Sequence, residues 1–244
     1  MSTLTRRQRE YADREERLLD EAGRLLVANG FDGLTLDRLA AATDFSKGLM
    51  YKHFASKEDL VAALAVRSLR VRLARFVRAA EFKGTSRERI LAIEVGEELS
   101  FRQNPHHMGS ELIVKMGGLE TRVADDRRSA LHALERECFG IARRVVEGAV
   151  RGNDLRLHPP LTPAAIVLSI MATKWGLFST IQNYRPLLVH QGLTTPLATF
   201  RPALHAVLDG FGWRPLASEF DYEESYRRIL AELFAEDAIR FGAV

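Results

Sequence analysis

A single cysteine in 244 residues leaves no intramolecular disulfide to form, so Cys138 is expected as a small buried apolar residue and no oxidising compartment is needed. An apolar leader is missing as well: residues 1–17 are polar and charged where the core of a secretory signal would lie. Long hydrophobic runs are scarce. The most membrane-like stretch, Leu157–Thr173, is short, contains Pro159, Pro160 and Pro163, and is followed by Lys174. These absences point to a cytoplasmic chain with no membrane partner. No run alternates apolar and polar residues between turn dipeptides, which argues against strands, and there is no fixed-period repeat, sustained heptad or low-complexity tract. His-Glu-x-x-His, Gly-x-Ser-x-Gly, Gly-x-Gly-x-x-Gly and P-loop patterns do not occur, so hydrolytic, dinucleotide and nucleotide chemistry have no motif to rest on.

What is present is ordinary globular composition, 46% hydrophobic and 27% charged, which excludes wholesale disorder. At about 150 residues per domain, the length fits one large or two modest domains. A formal net charge of +3 is too small to demand a polyanionic partner, so its distribution must decide. Arg6, Arg7 and Arg9 cluster in the leader, Lys47, Lys52 and Lys57 follow position 46, and Arg67, Arg70, Arg72, Arg75 and Arg78 occur with no acid among them. Residues 219–240 reverse the sign with seven acids against three arginines. Nucleic-acid binding at the N-terminal end alone is compatible with this asymmetry.

Helical periodicity dominates. Leu18, Leu19, Ala22, Leu25, Leu26 and Ala28 form one stripe that Asn29-Gly30 ends, and Gly23 within it costs about 1 kcal/mol relative to Ala, so packing must support that helix. Thr35 is a candidate N-cap for a short helix bearing Leu36, Leu39 and Ala40. Ser46 caps a third helix reaching about Phe54, and Ser56 with Asp59 has capping-box spacing for a fourth. Amphipathic segments follow at about 86–102, 107–117, 122–151, 162–183, 199–211 and 221–240, separated by Pro- and Gly-bearing breaks. The fold class expected is all-α.

The three helices within residues 14–54, with a tight Asp44-Phe45 turn between the second and third, have the arrangement of a helix-turn-helix. Ala40, Ala41 and Ala42 supply small residues for a steep crossing, while Leu36, Leu39, Phe45, Leu49, Met50 and Phe54 supply a core. A recognition helix at about 46–54 is about 13 Å long, short enough for a major groove about 12 Å wide. Its outer face carries Ser46, Lys47, Gly48, Tyr51, Lys52 and His53. Lys47 can reach base-edge acceptors or a phosphate, Gly48 allows close approach, and Tyr51, Lys52 and His53 lie where a strand backbone should pass. Thr35 can offer a hydroxyl and an amide to a phosphate, and Lys57 can reach the same strand.

Residues 14–60 resemble the DNA-binding domain of the tetracycline-repressor (TetR) family, above all in Gly30-Phe31-Asp32-Gly33-Leu34-Thr35-Leu36, Ser46-Lys47-Gly48-Leu49-Met50-Tyr51-Lys52-His53-Phe54 and Lys57-Glu58-Asp59-Leu60. The resemblance implies a homodimeric, ligand-responsive transcription factor rather than an enzyme, with no cofactor. It implies phosphate contacts from Thr35, Tyr51, His53 and Lys57, and groove-facing roles for Lys47, Gly48 and Leu49. Two positions depart from the family pattern: Met50 stands where Leu is common, and Lys52 stands where an aromatic is common, exchanging a stacking contact for a phosphate salt link. Residues 1–13 are read as a flexible basic arm, either contacting phosphates or the minor groove or remaining a solvated tail. The Arg67–Arg78 run has a simpler account as an exposed helical face.

Residues 61–244 are assigned to a helical ligand-binding and dimerisation domain. By the resemblance, segments 162–183 and 199–211 form a four-helix bundle with a second copy, presenting Ile166, Ile170, Trp175, Phe178, Leu204, Leu208 and Phe211. A pocket for a small, largely apolar effector is expected among residues 86–183, drawing on Phe101, His107, Met108, Met116, Met171, Trp175 and Phe178. His107 and Glu111 share a helical spacing, but metal binding needs three or four ligands and no third is placed, so no metal is assigned. The expected function is a repressor on a palindromic operator of double-stranded DNA. The rival reading is an all-α carrier or enzyme with an incidental basic N-terminus.

Overall fold

The computed structural model describes residues Thr5–Phe241, and no strand occurs among them. Twelve α-helices are described: α1 (Arg6–Gly33), α2 (Leu36–Ala41), α3 (Lys47–His53), α4 (Lys57–Ala80), α5 (Ser86–Gln103), α6 (Pro105–Met116), α7 (Asp125–Arg151), α8 (Pro163–Asn183), α9 (Arg185–His190), α10 (Phe200–Gly210), α11 (Tyr222–Leu233) and α12 (Ala235–Phe241). The fold is all-α, with its helix-turn-helix at the N-terminal end.

Two compact units divide the chain. The first comprises residues up to Ala74 together with Glu97–Glu137; the second comprises Arg75–Gly96 and the chain from Cys138 onward. This differs from the boundary expected after residue 60. The core of the first unit runs from Leu18, Leu26, Leu39, Met50 and Phe54 through Leu60–Val66 to Val114, Val123 and Leu131, so α4, α6 and α7 share apolar burial with the three N-terminal helices.

Local signals explain where α1 begins and bends. Thr5 Oγ1 accepts the Gln8 amide at 3.3 Å while Gln8 Oε1 accepts the Thr5 amide at 2.8 Å, a reciprocal cap that makes residues 6–13 helical instead of a flexible arm. The Asn29-Gly30 break is a kink rather than an end: Gly30 adopts φ 66°, open to glycine at little cost, and one more turn follows to Gly33. Gly23 is required by its neighbour, since a Cβ there would stand 2.7 Å from His106 Nε2 on α6. This contact supplies the packing that the helix-weakening glycine demanded.

Arg87 ties the second unit together. Its fully buried guanidinium donates to the carbonyls of Trp213 at 2.6 Å and Pro215 at 2.8 Å, pairs with Asp209 at 2.6 Å and lies over the Tyr222 ring. Removing one partner of a buried network of this kind costs about 3–5 kcal/mol. Phe178 of α8 stacks on Phe200 of α10 with ring centroids 5.2 Å apart. Ile166, Ile170, Phe178, Leu204 and Leu208, the large side chains expected to meet a second copy, are buried within the chain instead, because α8 turns that side onto α10. Along its length α8 leaves Leu168, Ala172, Gly176 and Thr180 exposed at a spacing of four, with Gln182 and Asn183 exposed at its end. Among the described residues α8 alone is long and apolar enough to cross a membrane, with mean hydropathy 1.5, and 33% of that stretch is buried.

Candidate nucleic-acid interface

The helix-turn-helix is built from caps and a small core. Thr35 Oγ1 accepts the Arg38 amide at 3.1 Å and starts α2, a cap worth about 1 kcal/mol. Leu36, Leu39, Met50 and Phe54 are buried, whereas Phe45 and Leu49 are half-buried. Of the three alanines expected at the crossing only Ala40 is buried; Ala41 and Ala42 are exposed, so one small residue suffices where α2 meets α3. Ser46 precedes α3 as its N-cap without a side-chain bond, leaving its hydroxyl exposed.

The outward face of α3 is polar and cationic. Lys47, Gly48, Tyr51 and Lys52 are exposed, Tyr51 to 60%. A Cβ on Gly48 would meet nothing within 4 Å, so its missing side chain leaves open space on the outer surface rather than accommodating this chain's own packing. Lys47 Nζ lies 2.9 Å from Asp37 Oδ2 of α2, and that hydrogen bond raises the pKa of the ammonium. Lys57, the first residue of α4, holds its ammonium 3.9 Å above the Phe31 ring and 4.0 Å from Asp32, and its side chain is 24% exposed.

His53 corrects the expectation of a phosphate contact. Its side chain is fully buried, its Nδ1 stands 3.2 Å from Glu15 Oε2, and its ring stacks on Tyr11 with centroids 4.0 Å apart. An imidazole enclosed in this way orients the helix and has no path to a phosphate. Tyr11, which sequence reasoning passed over, donates its hydroxyl to the Lys52 carbonyl at 3.2 Å. Burial and the Glu15 carboxylate raise its pKa, so the phenol remains a donor. The spacing 11, 15, 18, 22 continues the buried stripe of α1 and is the signal that would have found both Tyr11 and Glu15.

Arg127, at the start of α7, was missed too. It donates to Glu15 at 3.1 Å and to the His53 carbonyl at 2.8 Å, pairs with Asp59 at 3.1 Å and lies over the Phe54 ring. Asp59 itself receives the Ala55 amide at 3.1 Å, while its own amide donates to Ser56 Oγ at 3.0 Å. The capping box expected at Ser56 is therefore shifted by one residue on its carboxylate side.

Within the Arg67–Arg78 run Arg70 and Arg78 are exposed, whereas the other three arginines are drawn inward to acids. Arg67 pairs with Asp20 at 2.7 Å, Arg72 with Glu97 at 2.9 Å and Glu111 at 2.7 Å, and the buried Arg75 with Asp237 at 3.4 Å. Glu111, which has helical spacing with His107, is thus engaged by Arg72 and also accepts from Ser68 Oγ at 2.6 Å. Of the residues assigned to an effector pocket, Phe101 belongs to the first unit, and Met171, Trp175 and Phe178 belong to the second. Phe101, Met171 and Trp175 are half-buried, whereas Phe178 is fully buried. The side chains of His107, Met108 and Met116 lie outside the described residues.

Comparison with known proteins identifies the N-terminal domain. Residues 18–64 match the family described as bacterial regulatory proteins, tetR family. The HTH-type transcriptional repressor AcnR of Corynebacterium glutamicum is 40% identical over 50 residues, 20% of this chain and 27% of that protein. An uncharacterised HTH-type transcriptional regulator of Mycobacterium tuberculosis is 38% identical over 60 residues, 25% of this chain and 30% of the relative. The chain thus spans less than a third of the length of these curated relatives. Solved structures align further: the TetR-family regulator PfmR of Thermus thermophilus has a TM-score of 0.61 at 19% identity, covering 79% of this chain and 97% of that one. FadR of Bacillus subtilis, solved in complex with stearoyl-CoA, has a TM-score of 0.60 at 15% identity, covering 80% and 98%. KstR2, a ketosteroid transcriptional regulator of Mycobacterium tuberculosis, has a TM-score of 0.56 at 22% identity, covering 81% and 94%. At these identities the structural likeness is one of fold. The sequence matches are to DNA-binding regulators and not to enzymes. Residues 18–64 thus carry a DNA-binding domain of the tetR family of bacterial regulatory proteins.

Proposed function

We propose that the chain is a cytoplasmic, homodimeric transcriptional repressor whose two α3 helices enter successive major grooves of a palindromic operator, about 34 Å apart. The observation that carries this reading is the outer surface of α3, where Lys47, Gly48, Tyr51 and Lys52 are exposed together on a helix short enough for the groove. Lys47 reads base edges with Leu49 beside it; Thr35, Ser46, Tyr51, Lys52 and Lys57 contact phosphates. His53 acts from inside by holding the helix.

Dimerisation through α8 and α10 is supported by what α8 leaves uncovered. Leu168 is 55% exposed, and Ala172 and Gly176 continue its row, beside Pro202 and Ala206 exposed on α10. A second copy presenting the same surface buries it in an isologous contact. Release from the operator by a small, largely apolar effector fits the half-buried Met171 and Trp175 of the second unit, and fits neighbours of like fold that include a stearoyl-CoA complex and a ketosteroid regulator. The effector needs only a few kcal/mol of differential affinity between two states to act.

The test is selection of genomic fragments by the purified chain, followed by titration at two salt concentrations and challenge with candidate acyl and steroid metabolites. The expected result is a selected fragment whose affinity falls steeply with salt, with Lys47→Ala flattening base preference. Recovery of no preferred fragment, or a Lys47→Ala variant that keeps full preference, overturns the reading.

A further inference from the structure

We propose that Arg127, outside the matched DNA-binding domain, is a positioning residue for DNA reading: it fixes the C-terminal end of α3 from the start of α7. The inference rests on α3 being the reading helix and names the residue that holds it in register. Its ground is the juxtaposition of one guanidinium with three elements of the head. Nη1 donates to Glu15 of α1 at 3.1 Å, Nη2 donates to the His53 carbonyl of α3 at 2.8 Å, and Nε pairs with Asp59 of α4 at 3.1 Å.

Each contact has a reason. The last carbonyls of a helix have no intrahelical N–H donor, and a cation there also complements the negative end of the helix dipole. A guanidinium is a rigid planar fork with donors in several directions, so it holds its three acceptors in a fixed relation that a flexible ammonium does not reproduce. The side chain of Arg127 is 16% exposed and Asp59 is 2% exposed, so the pairing is sheltered from solvent screening. The Phe54 ring closes the remaining side, 5.3 Å from the guanidinium carbon.

Other links from this part of the chain stop short of α3. Arg122 meets Glu58 at 3.5 Å, and the Ala124 amide donates to Asp59 at 3.3 Å, both at the start of α4. Arg127 reaches α3 itself, and the helix that carries it runs on to Arg151. A displacement of the α7 start is therefore passed to the end of the reading helix through a polar link at Arg127, beside the apolar packing that α7 shares with the head. Arg128 provides the control, because it bonds Asp125 and the Glu120 carbonyl and leaves the head untouched.

The experiment compares full-length wild type, Arg127→Met, Arg127→Lys and Arg128→Met by amide hydrogen exchange and by affinity for a selected and an unselected DNA fragment. Expected for both Arg127 variants are exchange at Met50–Phe54 faster by about tenfold or more relative to Leu39 of α2, and a lower ratio of selected to unselected affinity, with Arg128→Met matching wild type. Equal acceleration in α2 and α3 shows a general staple and overturns the proposal, as does unchanged exchange in α3. If Arg127→Met gives no folded chain by circular dichroism, Arg127→Lys, which keeps the charge but loses the fork, carries the comparison. Wild type that selects no DNA defeats the DNA-reading role alone; the exchange pattern still decides whether Arg127 holds α3.

Discussion

Lys47 Nζ and Asp37 Oδ2 stand 2.9 Å apart, so the cation best placed to meet a base edge is already engaged by an acid in the first turn of α2. Both side chains are largely exposed, at 66% and 59%, and the pair is readily exchanged for a better acceptor. Asp37→Asn is expected to tighten DNA binding about two- to fivefold at low salt, by freeing Lys47 and removing a charge that repels phosphate. Fluorescence anisotropy against a selected fragment measures it, and weaker binding by the variant contradicts a groove-facing Lys47.

Gly48 separates stability from recognition. With nothing within 4 Å of a built Cβ, Gly48→Ala should raise stability by up to about 1 kcal/mol through helix propensity, or about 2–4 °C in melting temperature. The same methyl group holds the helix off the groove wall, so affinity for a selected fragment should fall while the melting temperature rises. A variant with unaltered affinity places Gly48 away from the duplex.

Gly176 offers the corresponding test for pairing of two copies. A side chain there also meets nothing within 4 Å in the single chain, so Gly176→Arg should leave its fold intact. Placed between two copies, the same charge lacks solvent and a counter-ion. Sedimentation velocity should show wild type as a dimer and the variant as a monomer with native circular dichroism; two dimers of equal stability remove α8 from the interface.

His106 makes the first unit sensitive to acid. Burial lowers its imidazole from the usual 6.5 to about 4, with Arg67 reinforcing and Asp20 opposing the shift. Between those values the unfolded chain holds the extra proton, so this group reduces stability as pH falls from about 6.5 to about 4, and the loss levels off below that. Urea midpoints across this window should drop more steeply for wild type than for His106→Gln. Parallel curves assign the acid sensitivity elsewhere.

Much of this architecture was legible because helical periodicity and helix breakers are local. The segments expected at 86–102 and 162–183 lie at Ser86–Gln103 and Pro163–Asn183, and Thr35 caps α2. The fates of single polar side chains were not legible, because their partners arrive from distant positions. His53 is enclosed by Tyr11 and Glu15, and Arg67 and Arg72 are neutralised by Asp20 and Glu111. Arg127 had no local signature at all. The helical leader did have one, in the Thr5–Gln8 cap spacing, although its three clustered arginines are equally compatible with a solvated tail.

The docking of Tyr11 on Lys52 also bears on how the protein is handled at the bench. The helix from Arg6 to Tyr11 advances about 1.5 Å per residue, so a purification tag fused ahead of Thr5 is carried on a stiff stalk beside the surface whose binding is to be measured. Comparing affinities before and after removal of such a tag measures whether it crowds that surface.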